Sequence, residues 1–152
     1  MKRVLMVCHG NICRSPMAEF VFKDLVQKEG LSDQFHIESA ATSTEEIGND
    51  IYPPAKKCLA KHHIPYTRHY ARQITYDDYS NFDYLIGMDD ANIRNMKRIF
   101  NNDPDHKVYQ LLDFTDQKGP ISDPWYTGDF EITYKDVLNG SIGLLNYIKN
   151  HQ

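Results

Sequence analysis

Val4-Leu5-Met6-Val7-Cys8-His9-Gly10-Asn11-Ile12-Cys13-Arg14-Ser15-Pro16 is the stretch from which the fold can be read. Within residues 3–7 a continuous apolar run stops abruptly at polar residues, the pattern of a short strand buried on both faces. Ser15 followed by Pro16 reads as a helix N-cap and a first helical residue. A strand that feeds a short loop opening a helix aims successive backbone N–H groups, and the positive end of the helix dipole, at one spot. The spacing therefore predicts an anion site directly after the first strand.

The residue types in the loop agree with that reading. A helix N-terminus and a nearby guanidinium favour the thiolate of Cys8, the reactive form of the side chain. Arg14 presents a planar fork of donors that matches two phosphate oxygens. Gly10 lets backbone approach a ligand closely, and the Ser15 hydroxyl is placed to donate to the Cys8 sulfur. The blander reading is an ordinary buried cysteine at a strand end. A zinc site from Cys8, His9 and Cys13 lacks a second C-x-x-C or H-x3-H half.

Composition sets limits on the rest. A chain of 152 residues, 41% hydrophobic, without a linker-like stretch or internal repeat, reads as a single domain over 1–152. The apolar segment after Met1-Lys2-Arg3 is too short for a signal peptide, and no apolar run is long enough to span a bilayer. Three cysteines, an odd number, suit a reducing compartment better than a disulfide framework, so a cytoplasmic location is expected. A net charge of −4 with scattered basic residues argues against nucleic-acid binding.

The segment V-C-H-G-N-I-C-R-S-P-M-A-E, residues 7–19, resembles the signature of the low-molecular-weight protein tyrosine phosphatases. The likeness continues in E-S-A-A-T-S (38–43), I-G-N (47–49), H-Y-A-R-Q-I-T (69–75), F-D-Y-L-I-G-M-D (82–89) and S-D-P-W-Y (122–126). It implies an α/β fold, one four-stranded parallel sheet with helices on both faces and the phosphate-binding loop after the first strand. Local patterns agree. Met17, Ala18, Val21, Phe22, Leu25 and Val26 form a helical stripe that stops at Gly30. Strands are expected over 35–40, 84–88 and 108–112, and helices over 54–63, 90–100 and 130–148, an alternation that means α/β.

Hydrolysis of a phosphate ester needs a proton donor for the departing oxygen. Asp123, between Ser122 and Pro124 and followed by Trp125 and Tyr126, resembles the family's general acid; Trp125 is expected to shield its carboxyl from water. The plain alternative is an Asp-Pro turn. The resemblance implies catalysis by Cys8, Arg14 and Asp123, phosphate binding by His9, Gly10, Asn11, Ile12, Cys13 and Ser15, and loop support from Asn11, Ser39 and His69; Asp89, which follows a strand but lacks the D-x-D spacing of metal-dependent aspartyl phosphatases, reads as structural support under the loop. Together with the spacing, the resemblance implies a Cys8–Cys13 disulfide under peroxide, the plainer reading of Cys13 being a small packing residue; Cys58 reads as an inert residue packed in a helix. Trp125 and Tyr126 supply one wall for a phenyl ring. The opposite wall, where many family members carry an aromatic residue, has Glu45 followed by Glu46, which favours phosphopeptides with basic flanks.

No cofactor or metal is expected, and the expected partners are phosphotyrosine-containing proteins, met by a monomer or weakly self-associating chain. Arsenate reductases of the same fold need relay cysteines that are missing after Asp77. Protein arginine phosphatases typically carry threonine where this chain has Ile12. A silent phosphopeptide-binding module has no need of Cys8, Arg14 and Asp123 together.

Overall fold

The computed structural model describes residues 1–151. The expected first strand extends by a residue at each end, as β1 (Lys2–Cys8), with Val4 to Val7 fully buried. Burial of each such side chain is worth about 1.5–3 kcal/mol, which is why this segment sits in the middle of the sheet. The remaining strands are β2 (Phe35–Ala41), β3 (Tyr84–Gly87) and β4 (Val108–Gln110). They form one parallel sheet in the order β2-β1-β3-β4. The helices are α1 (Arg14–Lys28), α2 (Pro53–Lys61), α3 (Asp78–Asn81), α4 (Asp90–Ile99), α5 (Pro124–Thr127) and α6 (Phe130–Asn150).

Alternation along β1 divides the core. Val4, Met6 and Cys8 face the layer of α1, α2 and α6, while Leu5 and Val7 face α3 and α4 through Tyr79, Met96 and Phe100. In α6, Gly140 and Gly143 admit the segment 111–114. A Cβ at Gly140 would lie 2.5 Å from Leu111 Cγ, and one at Gly143 would lie 2.3 Å from the Phe114 carbonyl oxygen.

Three expectations need correction. Strand β4 ends at Gln110, two residues early, because the Gln110 N–H donates to Asp113 Oδ2 at 2.9 Å and turns the chain into a 3-10 segment at Leu111–Phe114. Helix α1 starts at Arg14 with Cys13, not Ser15, at the cap position. Pro16 is still tolerated, since first-turn N–H groups have no intrahelical acceptor. The single-turn helices α3 and α5 were not expected, being too short to show a 3.6-residue period.

Chain order fixes where a ligand can sit. From β1 the chain passes into α1 on one face, and from the adjacent β3 into α4 on the other. The carboxyl ends of β1 and β3 thus flank a topological switch point, the crevice where open α/β sheets bind ligands. Among the described residues no helix is long and apolar enough to cross a membrane.

Candidate active site

The loop from Cys8 to Cys13 is held from outside by its carbonyls. That of Cys8 accepts from Thr42 N at 3.0 Å, that of His9 from Ser43 N at 3.1 Å, and that of Ile12 from Tyr52 N at 2.9 Å. The Cys13 carbonyl accepts from Met17 N at 3.1 Å, and the Asn11 carbonyl from His69 Nε2 at 2.8 Å. A carbonyl only accepts, so His69 carries its proton on Nε2. With these carbonyls turned outward, one loop amide reaches the sulfur: the Asn11 N–H donates to Cys8 Sγ at 3.3 Å.

Asn11 is fully buried with φ +62°, a left-handed conformation that costs an ordinary side chain about 1–2 kcal/mol. Its own amide offsets part of that cost. Oδ1 accepts from Arg72 N at 3.2 Å and Nδ2 donates to Ser15 Oγ at 2.8 Å. Because Ser15 Oγ already accepts there, its hydrogen is free to point at Cys8 Sγ, 3.0 Å away. This commitment explains why Ser15 does not cap α1.

Arg14 closes the cradle. Its side chain keeps 6% of its exposure, Nη1 donates to the Ile121 carbonyl at 3.2 Å, and Nη2 lies 3.0 Å from Asp89 Oδ2 and 3.4 Å from Asp123 Oδ2. Asp89 follows β3 and also caps α4, accepting from Asn92 N at 2.9 Å. Asp123 caps α5, accepting from Trp125 N at 3.0 Å. Burial, together with the nearby charges of Cys8 and Asp123, pushes the Cys13 thiol up to about 12. The loop's second cysteine is thus held as a neutral thiol. All three cysteines are free thiols.

These groups line one pocket of about 450 Å³, which brings together Cys8 to Arg14, Glu45, Glu46, Asp89, Asp123, Trp125 and Tyr126. At its rim Glu45 Oε2 meets His9 Nε2 at 3.0 Å. Two sequence expectations fail here. Trp125 does not shield Asp123: it is 61% exposed, with its ring 5.2 Å from that of Tyr52, and the Asp123 side chain retains 29% of its exposure. Ser39 does not reach the loop. It pairs in register with Met6, two residues short of Cys8, and its hydroxyl donates to Glu19 Oε1 on α1 at 2.5 Å.

Several contributors escaped the sequence reading. Arg72 lies within the H-Y-A-R segment, but it serves the loop through its backbone N–H, which no side-chain pattern reveals. Asp50 accepts from His69 N at 3.0 Å and from Arg68 Nη1 at 3.1 Å, and it pairs with Lys56. Ala91, Asn92 and Asn95 of α4 complete the pocket wall. Asn95 falls one helical turn after Ala91, a spacing that was available as a signal.

A parallel α/β sheet with a strand, C-x5-R loop and helix at its switch point defines a protein built to cradle a tetrahedral anion beside a cysteine. The profile of the family described as low molecular weight phosphotyrosine protein phosphatase matches residues 3–152. The low molecular weight phosphotyrosine protein phosphatase of Rattus norvegicus is 45% identical over 142 residues, covering 90% of this chain and 89% of that protein. The crystal structure of YfkJ from Bacillus subtilis has a TM-score of 0.96 at 35% identity, covering 100% of this chain and 97% of that one. That of SP-PTP, a low molecular weight protein tyrosine phosphatase from Streptococcus pyogenes, has a TM-score of 0.86 at 42% identity, with 100% of both chains covered. This chain belongs to the low molecular weight phosphotyrosine protein phosphatase family.

Proposed function

We propose that this chain hydrolyses phosphotyrosine on proteins, and aryl phosphates generally, through a phosphocysteine intermediate on Cys8. The observation that carries the reading is the placement of the buried Cys8 thiol in one pocket with Arg14 and Asp123, its sulfur met by the Asn11 N–H and the Ser15 hydroxyl.

In the first step the Cys8 thiolate attacks phosphorus in line with the leaving oxygen. The S–P bond forms, the P–O bond to the phenol breaks, and Asp123 gives its proton to the departing phenolate. In the second step water attacks phosphorus, the ionised Asp123 takes the water's proton, and the S–P bond breaks to release phosphate and regenerate the thiolate. Ser15 assists this departure, because its hydroxyl hydrogen is free to stabilise the returning thiolate. The loop amides and the Arg14 fork hold the equatorial oxygens in both steps, so the chemistry requires no metal.

Glu45 and Glu46 at the rim, facing the exposed Trp125 and Tyr126, suit a phosphotyrosine ring presented in a peptide with basic flanks. Free thiols at all three cysteines support a reducing, cytoplasmic setting.

The test is hydrolysis of p-nitrophenyl phosphate and a phosphotyrosine peptide, with chelator present, by the parent, Cys8→Ser and Asp123→Asn proteins. Turnover abolished in Cys8→Ser and reduced by about 10²–10⁴-fold in Asp123→Asn is the expected result. Turnover that survives Cys8→Ser overturns the mechanism, and an inactive reduced parent overturns the activity.

A further inference from the structure

Cys58, His62 and Glu131 form a second cluster outside the phosphate pocket. One potential ligand atom from each lies within 4.8 Å of the others. Cys58 and His62 are four residues apart, so they share one face at the end of α2, while Glu131 comes from the first turn of α6. Cys58 Sγ is 3.7 Å from Glu131 Oε1, and His62 Nε2 is 2.6 Å from Glu131 Oε2. The imidazole is held in place by stacking on the Tyr134 ring, 3.8 Å between centroids and 7° from parallel. Glu131 is held by Asp129, whose Oδ1 accepts its N–H at 3.0 Å.

We propose that these three residues bind a zinc-class divalent cation that ties α2 to the start of α6. A tetrahedral zinc with a sulfur ligand at about 2.3 Å and nitrogen and oxygen ligands at about 2.0–2.2 Å needs ligand atoms about 3.3–3.6 Å apart. The sulfur stands 3.7 Å from Glu131 Oε1, close to that value, while the imidazole stands against the other oxygen, Oε2, so a small turn of the carboxylate presents one oxygen to both. The half-buried imidazole and carboxylate need only part by several tenths of an ångström. One thiolate and one carboxylate neutralise a divalent charge, and three protein ligands leave a fourth position for water. An open cleft of about 450 Å³ lined by Cys58, Lys61, Asp129 and Glu131 provides entry. Lys61, now 3.4 Å from Glu131 Oε1, is exposed and swings aside. Binding forms the S–metal bond and releases the Cys58 thiol proton to solvent, so affinity rises with pH.

Cobalt(II) reports the site directly, because a thiolate ligand gives a sulfur-to-cobalt charge-transfer band and a tetrahedral field gives intense visible bands. The reduced full chain, titrated with Co²⁺, is expected to develop both at one equivalent, and Zn²⁺ is expected to abolish them by displacement. The bands persist in Cys8→Ser and vanish in Cys58→Ser. His62→Ala and Glu131→Gln each lower Co²⁺ affinity at least about tenfold, with folding checked by near-ultraviolet circular dichroism. No band in the parent, a band that survives Cys58→Ser or disappears in Cys8→Ser, or unchanged affinity in His62→Ala and Glu131→Gln overturns the proposal. None of these readouts depends on phosphatase turnover, so the two readings fail separately.

Discussion

Asp89 holds the Arg14 guanidinium through a 3.0 Å ion pair at the same nitrogen, Nη2, that lies 3.4 Å from Asp123. One buried cation is therefore shared between a carboxylate fixed at the end of β3 and another carried on the short helix α5. Asp89 supplies the stronger contact. It keeps Arg14 aimed at the cradle and leaves Asp123 free to turn toward a leaving group. Without its charge, Arg14 has Asp123 as its nearest carboxylate and draws the proposed proton donor out of position. Asp89→Asn is expected to lower kcat/KM on p-nitrophenyl phosphate by about 10- to 100-fold, about 1.4–2.8 kcal/mol. Asparagine is also a good N-cap, so stability in urea should change little, whereas Asp89→Ala should lose about 1 kcal/mol more. Full activity in Asp89→Asn would show that Arg14 needs no such anchor.

Asn11 combines a left-handed backbone with two buried side-chain hydrogen bonds. Alanine removes both bonds and retains the backbone cost, while glycine removes the bonds and relieves that cost. Asn11→Ala is expected to destabilise the fold by about 2–4 kcal/mol in urea unfolding. Asn11→Gly should be milder by about 1 kcal/mol. Equal losses in the two variants would remove the backbone from the explanation.

The pH dependence of stability has an identifiable source in Asp50. Burial alone would raise its carboxyl, but Lys56, the backbone N–H groups of His69 and Ile51, and Arg68 outweigh that and hold it well below its ordinary value of 3.8. The folded group thus binds its proton more weakly than the unfolded one. Its contribution to stability is complete above about pH 5, begins to fall near the unfolded value, and is lost as pH drops through the folded value. The gap in unfolding free energy between the parent and Asp50→Asn should be constant from pH 7 to about pH 5 and shrink below about pH 4. A gap that stays level down to pH 3 contradicts this account.

The parts legible in the sequence were those that follow from short-range chemistry. The apolar run of β1, the Cys8 to Ser15 loop and the stripe of α1 each announce themselves over about a dozen residues or fewer. The site's supports did not. Arg72 acts through a backbone N–H, and Asp50 acts at one remove, through the His69 backbone. Ser39 was misplaced because its role depends on strand register, which sets it beside Met6 rather than at the loop. The shielding assigned to Trp125 failed for a related reason: the aromatic ring found its partner in Tyr52, a residue 73 positions away whose proximity only the fold creates.

The rim of the pocket carries the last prediction. Glu45 and His9 pair at 3.0 Å with both side chains well exposed, 68% and 58%, and Glu46 lies beside them on the same wall. Exposed charges of this kind are worth about 0.2–1 kcal/mol each, so their effect on peptide choice is modest and salt-sensitive. Phosphotyrosine peptides with basic flanks should show kcat/KM about 2- to 10-fold above acid-flanked peptides of equal length at low ionic strength. The preference should fade as salt is added, because the Debye length shrinks below the separation between flank and rim. Glu45→Trp removes one charge and adds an aromatic wall opposite Trp125. It should narrow the preference while improving turnover of small aryl phosphates, which have no flanks to be sensed. If the parent treats both peptide classes alike at low salt, and Glu45→Trp changes neither, the rim plays no part in selection and the aromatic wall formed by Trp125 and Tyr126 is sufficient by itself.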